Sequence, residues 1–572
     1  MADQADIEHM QELLEIYRRR LHILELQAAQ YGVHTAPHII LEIEDTRQQI
    51  QRLSSSLQGA DPDERAQEPF NFLRAYQQAC AAQARTYKAH LITPELHTFA
   101  DEICRVLNFA IIPESFHVHH GIFASLRVKA PTLHLNLPTQ FPIIILLDQS
   151  QTSDRLADIV KHLSNMLDML DGATDFGLVF VPKLHPHVQL MVNKLIRPAL
   201  KNDLIVLGES FLKNLGITTN PKNLLLNEIL REVDLTRISP FMAGGANLSD
   251  RMFFGREGEI KNIAENITKT SIAITCGRRM GKTTLLNRLA QVVLPTRDHQ
   301  CFFLNCQPVH DYQEFLTEMM GVWKLPDMPF NPSQPQSFAH LVHVLTENYG
   351  KPPIFLFDEV DELLKYDSQN QQRLFKQLRA LSMDGRAHFI MTGERSVQLH
   401  LHDANSPLFN FFGFNLKLSF LDLPSVNKLV VEPLSDMQLD LRDPTPMLDT
   451  IFNATSGHPY LVQRLCQGLV QAISRQGRRI IGPEHIELVL NDSAYQQDYF
   501  ETVLGQSPLL ARVITKLPNL EGVTMRHIQS MLAQHELKPS LSEISAALDV
   551  LDLYSVLQRR AGRYYFLSLI HI

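Results

Sequence analysis

SIAITCGRRMGKT, residues 271–283, runs directly into TLLNRLAQVVL, residues 284–294. The first five residues form a short apolar run with strand character, and the last eleven have helical periodicity. Between them lies a loop that ends in Gly-Lys-Thr. A glycine at 281 lets the backbone come close to a ligand. Successive loop N–H groups and the N-terminus of the following helix then make a cradle for phosphate. In such a loop Gly277, Arg278, Arg279, Met280 and Gly281 supply the wall, and Thr284 lies in the first helical turn. Lys282 is placed to reach β- and γ-phosphates, and the Thr283 hydroxyl to ligate Mg²⁺. The pattern departs from the usual one at a single point. Cys276 stands where the first glycine belongs, and a glycine follows one step later.

Further along, PIFLF (353–357) is a continuous apolar strand that ends in Asp358-Glu359. A buried parallel strand carries such residues to its carboxyl edge, beside the phosphate loop. Asp358 is then suited to hold the Mg²⁺ shell and Glu359 to polarise an attacking water. Adjacent carboxylates fit hydrolysis better than binding alone. A third strand, HFIM (388–391), runs into Thr392-Gly393-Glu394-Arg395. A polar residue at that strand end can sense a γ-phosphate, Thr392 first and Arg395 second; plain loop polarity is the other reading. ATP or ADP with Mg²⁺ is the cofactor set that these residues imply, and ATP hydrolysis the activity.

The chain as a whole is acidic, with a formal net charge of −9 over 572 residues. That balance argues against coating by nucleic acid, which depends on Lys and Arg. The six cysteines form no CxxC pair. They read as reduced thiols of a cytoplasmic protein. Apolar runs such as Ile143–Leu147 are too short to span a bilayer, and the polar, acidic start is unlike a secretory signal.

Residues 1–58 show an apolar heptad seam through Ile7, Met10, Leu14, Tyr17, Leu21 and Leu24, followed by a second apolar face. This predicts a helical hairpin, either packing on itself or associating as a coiled coil. A polar Pro- and Gly-bearing linker follows. From 70 to 235, alternating strand and helix signals predict a small α/β domain. Helices are expected at 71–90, 94–107, 152–170 and 186–200, and strands at 109–119, 122–129, 141–148, 176–181 and 204–207. His117 and His119 share a strand face but lack a third ligand, and Asp148 reads as a helix cap. This domain carries no catalytic constellation and reads as a sensor or signalling module.

Residues 250 to 570 resemble the signal-transduction ATPases with numerous domains, the STAND class, and their archaeal-type AAA-like P-loop relatives. The motif Phe253-Phe254-Gly255-Arg256-Glu257-Gly258-Glu259 is similar to one that precedes the P-loop in that family and helps hold the adenine. Gly457-His458-Pro459 is similar to its G-x-P motif in a helical lid, where the proline lies close to the nucleotide. The resemblance implies a multidomain α/β chain. Its parts are a P-loop ATPase core with parallel sheet (250–425), a helical lid (426–500) and a C-terminal winged helix (501–572). It implies nucleotide contacts from Phe254, Gly255, Arg256, His458 and Pro459, and a switch that is ADP-closed and ATP-open. Self-association on ATP binding and a protein partner or sensor follow from the same likeness. Unlike most of the class, the chain ends at the winged helix with no repeat array.

Helix signals at 507–517, 524–535 and 540–552 and hairpin strands expected at Tyr554–Arg559 and Arg563–Ser568 fit that winged helix, which also suits a DNA-associated ATPase, the alternative function. Residues 501–572 hold seven Lys/Arg and six Asp/Glu, and the recognition helix LSEISAALDVLD holds three acids and no base. Reading a major groove needs donors to phosphates and bases. Nucleic acid is therefore the disfavoured partner, and a membrane is not expected.

Overall fold

In the computed structural model, the described residues are 70–86, 91–119, 123–130, 135–147, 176–181, 203–241, 252–323, 336–503, 507–518 and 520–566. The expected hairpin at 1–58, the helices at 152–170 and 186–200, and Asp148 lie outside them. Among the described residues no helix is long and apolar enough to cross a membrane.

The first sheet is mixed. Its strands are β1 (Ala110–Ile111), β2 (His117–His119), β3 (Phe123–Lys129), β4 (Gln140–Leu146), β5 (Phe176–Phe180) and β6 (Asp203–Leu207). The order is β1-β3-β4-β5-β6, with β2 also paired to β3. The single strand expected over 109–119 is thus two short ones, parted where Glu114 takes a left-handed conformation. β3 runs antiparallel to β4, and β4, β5 and β6 are parallel. The helices Phe72–Ala84 and Pro94–Leu107 pack against this sheet. His119 is occupied structurally: its Nε2 lies 2.8 Å from Ser125 Oγ and its ring stacks on Phe123.

The second sheet positions the site. Its strands are β7 (Ile272–Thr275), β8 (Cys301–Asn305), β9 (Ile354–Asp358), β10 (His388–Gly393) and β11 (Phe414–Lys417). The order is β11-β7-β10-β9-β8, all parallel. Side chains alternate between faces at a period of two. Phe355, Phe357 and Phe389 therefore join one core with Phe315 and Phe338. Ile354, Leu356 and Ile390 join the other, against Leu285, Leu286 and Leu289 of the helix behind the phosphate loop. Burying each such side chain contributes roughly 1.5–3 kcal/mol, so a sheet covered on both faces is held firmly in register. β10 pairs with both β7 and β9, so it lies between the strand of the phosphate loop and the acidic strand.

After β11 the chain is helical. The helices Leu423–Asp436, Pro444–Thr455, Pro459–Gln476 and Pro483–Leu490 share one continuous apolar core with the first α/β unit and with the C-terminal segment. That segment comprises the helices Leu509–Ile514, Met525–Gln534 and Leu541–Leu553 and the hairpin Leu557–Arg560 with Arg563–Phe566. Ala561 and Gly562 both have positive φ, which matches the twist of a two-residue hairpin turn. Tyr554, expected to open the first hairpin strand, instead caps the preceding helix, because the helical hydrogen bonding continues through its own N–H to Val550.

Gly457 joins the helical segment to the sheet. Its φ is +79°, and a Cβ there would lie 2.1 Å from the Leu421 carbonyl oxygen, while Leu421 N donates to Gly457 O. Gly457→Ala is expected to cost about 2 kcal/mol or more in urea unfolding, since both the backbone conformation and the space are denied to alanine. A loss under about 0.5 kcal/mol, the ordinary surface value, would contradict this packing.

Candidate nucleotide site

All five strands of the second sheet end on the same side, which brings Thr275, Gly393, Asp358 and Asn305 to one edge. The phosphate-type loop leaves that edge. Gly281 has φ +89° and open space where a Cβ would be, so the backbone conformation itself calls for glycine. Lys282 begins the helix Lys282–Arg288 and is buried. Its ammonium donates to Cys276 O at 3.4 Å, Gly277 O at 3.2 Å and Glu394 Oε1 at 3.3 Å. Burial works against its charge, but the Cys276 sulfur and the carboxylates of Glu394, Glu359 and Asp358 outweigh it and raise its pKa. Lys282 therefore stays charged.

Facing the loop, Asp358 is almost fully buried at the end of β9. Each of its oxygens accepts a hydroxyl. Thr283 Oγ1 donates to Oδ2 at 2.5 Å, and Thr392 Oγ1 donates to Oδ1. The Thr392 oxygen also accepts the Glu359 N–H at 3.0 Å. Thr392 is buried and is spent on holding the two acids, so its hydroxyl does not reach the cleft as a γ-phosphate sensor would. Glu359 has φ +54°, a left-handed backbone rare for a non-glycine residue, of the kind that collects at functional sites. Burial, then the neighbouring Asp358, raises its pKa above the usual carboxylate value.

Between loop and acids lies a cleft of about 470 Å³, a volume typical of small-molecule sites. Its lining includes Phe254, Arg256, Arg279, Met280, Gly281, Lys282, Thr283, Thr284, Glu359 and Pro459 among the residues named from sequence. Met252, Phe253, Leu421 and Leu429 make an apolar end, and Asn305, Gln307, Tyr460 and Gln463 add polar groups. Sequence reading missed most of these, because nothing local marks a residue that long-range packing brings to a wall. Two had a signal: Phe253 as the first residue of the motif quoted above, and Asn305 as the polar end of an apolar strand. Gly255, Gly277, Arg278, Asp358, His458 and Arg395 are not part of the lining, Asp358 lying just beneath it behind Thr283. Gly255 is pressed against Ser425, where a Cβ would lie 2.3 Å from the hydroxyl. Arg395 is exposed on the first turn of the helix Arg395–His402. His458 is buried against Phe420, and burial pushes its pKa down to about 3, so it is neutral. Arg256 ties the cleft together by donating to Met280 O at 3.4 Å and Ser419 O at 2.7 Å.

The helical segment and the C-terminal segment close over the loop. The Arg279 guanidinium lies 4.2 Å from the centre of the Tyr460 ring and donates to Thr502 Oγ1 at 2.9 Å. The Gly277 N–H donates to Leu553 O at 3.2 Å, and Tyr554 covers the loop. A Cβ at 277 would lie 2.6 Å from Tyr554 Cδ1. This accounts for the shifted glycine: position 276 is buried in the core, where a small thiol packs, and position 277 needs the space.

No protein-family model matches the chain, and no curated protein matches it. Among solved structures, the chain is similar to the Walker-type ATPase PABY2304 of Pyrococcus abyssi, at 17% identity and a TM-score of 0.45, over 58% of this chain and 98% of that one. It is also similar to the ORC2 protein of Aeropyrum pernix, at 14% identity and a TM-score of 0.41, over 56% and 94%. A third likeness is to the RuvB Holliday junction branch migration motor of Thermotoga maritima, at 13% identity and a TM-score of 0.31, over 56% and 94%.

The raised pKa of Glu359 makes a stability prediction. The folded state holds this proton more tightly than the unfolded state, so stability is greatest below the ordinary glutamate pKa and is lost as pH rises through the folded-state value. Glu359→Gln removes the half-buried charge. Its Tm is expected to exceed that of the wild type at pH 8, with a gain that shrinks as pH falls toward the ordinary glutamate range. A gain independent of pH would contradict the assignment.

Proposed function

We propose that the chain is an ATP-binding and ATP-hydrolysing switch of STAND type, closed with ADP and open with ATP. It passes on a signal by self-association or by binding a protein partner. The observation that carries this reading is the direct contact of the C-terminal segment with the phosphate loop, through Gly277 N–H to Leu553 O and through Tyr554. A segment that touches the loop itself feels what the loop holds.

In this reading the apolar end of the cleft takes the base, and the loop amides and Lys282 take the phosphates. Thr283 and Asp358 offer hard oxygen donors on facing elements, a set that suits Mg²⁺ completed by phosphate oxygens and water. Magnesium, when bound, offsets the charge of the phosphates. Glu359 orients a water for attack on the γ-phosphorus and accepts its proton as the bond to ADP breaks. Its raised pKa makes it a stronger base than an ordinary glutamate. Thr392 positions both acids. Residues 426–500 act as the lid and 501–572 as the winged helix.

The input is the 70–235 unit, which touches the lid at three polar points. Gln438 Nε2 donates to Asn227 Oδ1 at 2.6 Å, Ser474 Oγ to Asp234 Oδ1 at 3.0 Å, and Arg479 Nη2 to Leu230 O at 2.7 Å. Nucleic acid remains the disfavoured partner. Asp552, on the helix that would enter a groove, pairs with Lys417 of β11 at 2.6 Å, so that helix is already docked on the ATPase unit.

Two variants test the reading. Lys282→Ala is expected to lose nucleotide binding. Glu359→Gln is expected to bind ATP and to hydrolyse it about 100-fold more slowly or worse, the usual worth of a general base. In light scattering, the wild type should be larger with a slowly hydrolysed ATP analogue than with ADP, and Lys282→Ala should not respond. The same particle size in all three conditions would overturn the switch.

A further inference from the structure

An ammonium has three N–H donors, and those of Lys282 have three acceptors here. Two are carbonyls of the loop backbone, Cys276 O and Gly277 O, which are fixed by the strand and loop they belong to. The third, Glu394 Oε1 at 3.3 Å, belongs to a side chain and is exchangeable. Glu394 is itself well placed. Its backbone N–H donates to Asp361 Oδ2 at 2.9 Å, and it stands at the N-cap position of the helix Arg395–His402, whose N-terminus favours a negative charge. Arg278 Nε lies 3.6 Å from the same Glu394 oxygen, and the arginine is 56% exposed where the lysine is 4%.

We propose that Glu394 discriminates ATP from ADP: it holds a lysine proton for which the β-phosphate competes weakly and the γ-phosphate strongly, so ATP displaces the Lys282–Glu394 pair further than ADP does. This rests on the nucleotide site proposed above. Lys282 reaches both phosphates, but loop amides also cradle the β-phosphate, whereas the γ-phosphate depends chiefly on the lysine. The γ-phosphate also brings the most negative end of the nucleotide to a site that already gathers Asp358, Glu359 and Glu394 around one ammonium. Displaced from Lys282, the Glu394 carboxylate passes to Arg278 at the outer rim of the loop. Arg278 adjoins Gly277, the residue that Tyr554 covers. The exchange of partners therefore takes place under the C-terminal segment, and the third phosphate is felt there without direct contact. Glu394 acts as a positioning residue, through Lys282 and Arg278.

The test is calorimetric titration of the full chain with ADP and with a slowly hydrolysed ATP analogue, both with Mg²⁺. Glu394→Gln keeps the shape and removes the charge. It is expected to raise affinity for the ATP analogue about tenfold relative to ADP, the scale of one charge-assisted hydrogen bond. Arg278→Ala is expected to shift the same ratio in wild type and to lose that effect in the Glu394→Gln background, because the two act on one carboxylate. Parallel changes for both nucleotides, no change, or additive effects of the two substitutions would overturn the proposal. A wild type that binds neither nucleotide would overturn the nucleotide site itself, and a purely structural role for Glu394 would lower Tm without moving the ratio.

Discussion

The hydrogen bonds that Asp358 accepts from Thr283 and Thr392 hold the site together. They connect three separate pieces of chain: the helix after the phosphate loop, the acidic strand β9 and the strand β10 between them. Asp358 is buried, and a buried carboxylate is tolerated only when its oxygens are satisfied. Two threonine hydroxyls do this, one to each oxygen. The same Thr392 then fixes the Glu359 amide, and so the backbone of the second acid. The geometry of loop and acids is thus set by one carboxylate and depends on the parallel sheet to bring its partners within reach.

Charge organises the next layer. Lys282 is a buried cation, and Asp358, Glu359 and Glu394 surround it. An unpaired charge at that depth is costly, so the lysine takes loop carbonyls and a carboxylate as partners. Any anion that enters the cleft must compete for that lysine. Around the rim, Arg278, Arg279 and Gly277 each engage a group outside the loop: Glu394, Tyr460 with Thr502, and Leu553 with Tyr554. The loop is therefore the meeting point of the sheet, the helical segment and the C-terminal segment.

Much of this was legible in the sequence where the physics is local. The apolar runs at 272–275, 354–357 and 388–391 declare strands, and Gly281-Lys282-Thr283 declares a loop for anions. Asp358 and Glu359 are where a strand end should carry them. The order of strands was not legible, because nothing in β10 states that it inserts between β7 and β9. Tyr554 read as the start of a hairpin strand, since its contact with Gly277 joins residues far apart in the chain. The glycine at 277 was visible as an oddity, but its reason is that distant tyrosine. Glu394 read as loop polarity beside Thr392 and Arg395, and its partner Lys282 lies more than a hundred residues away. Thr392 was noticed for the right position, yet its hydroxyl faces the acids and not the cleft.

The central claim is that this cleft binds a magnesium–adenine nucleotide between the loop at 276–283 and the acids at 358 and 359. Titration of the unmodified full chain with ATP, with magnesium and then with the metal chelated, tests it most directly. The account predicts one saturable site per chain and weaker binding once magnesium is removed. Absence of binding at millimolar ATP, or binding indifferent to magnesium, would contradict it.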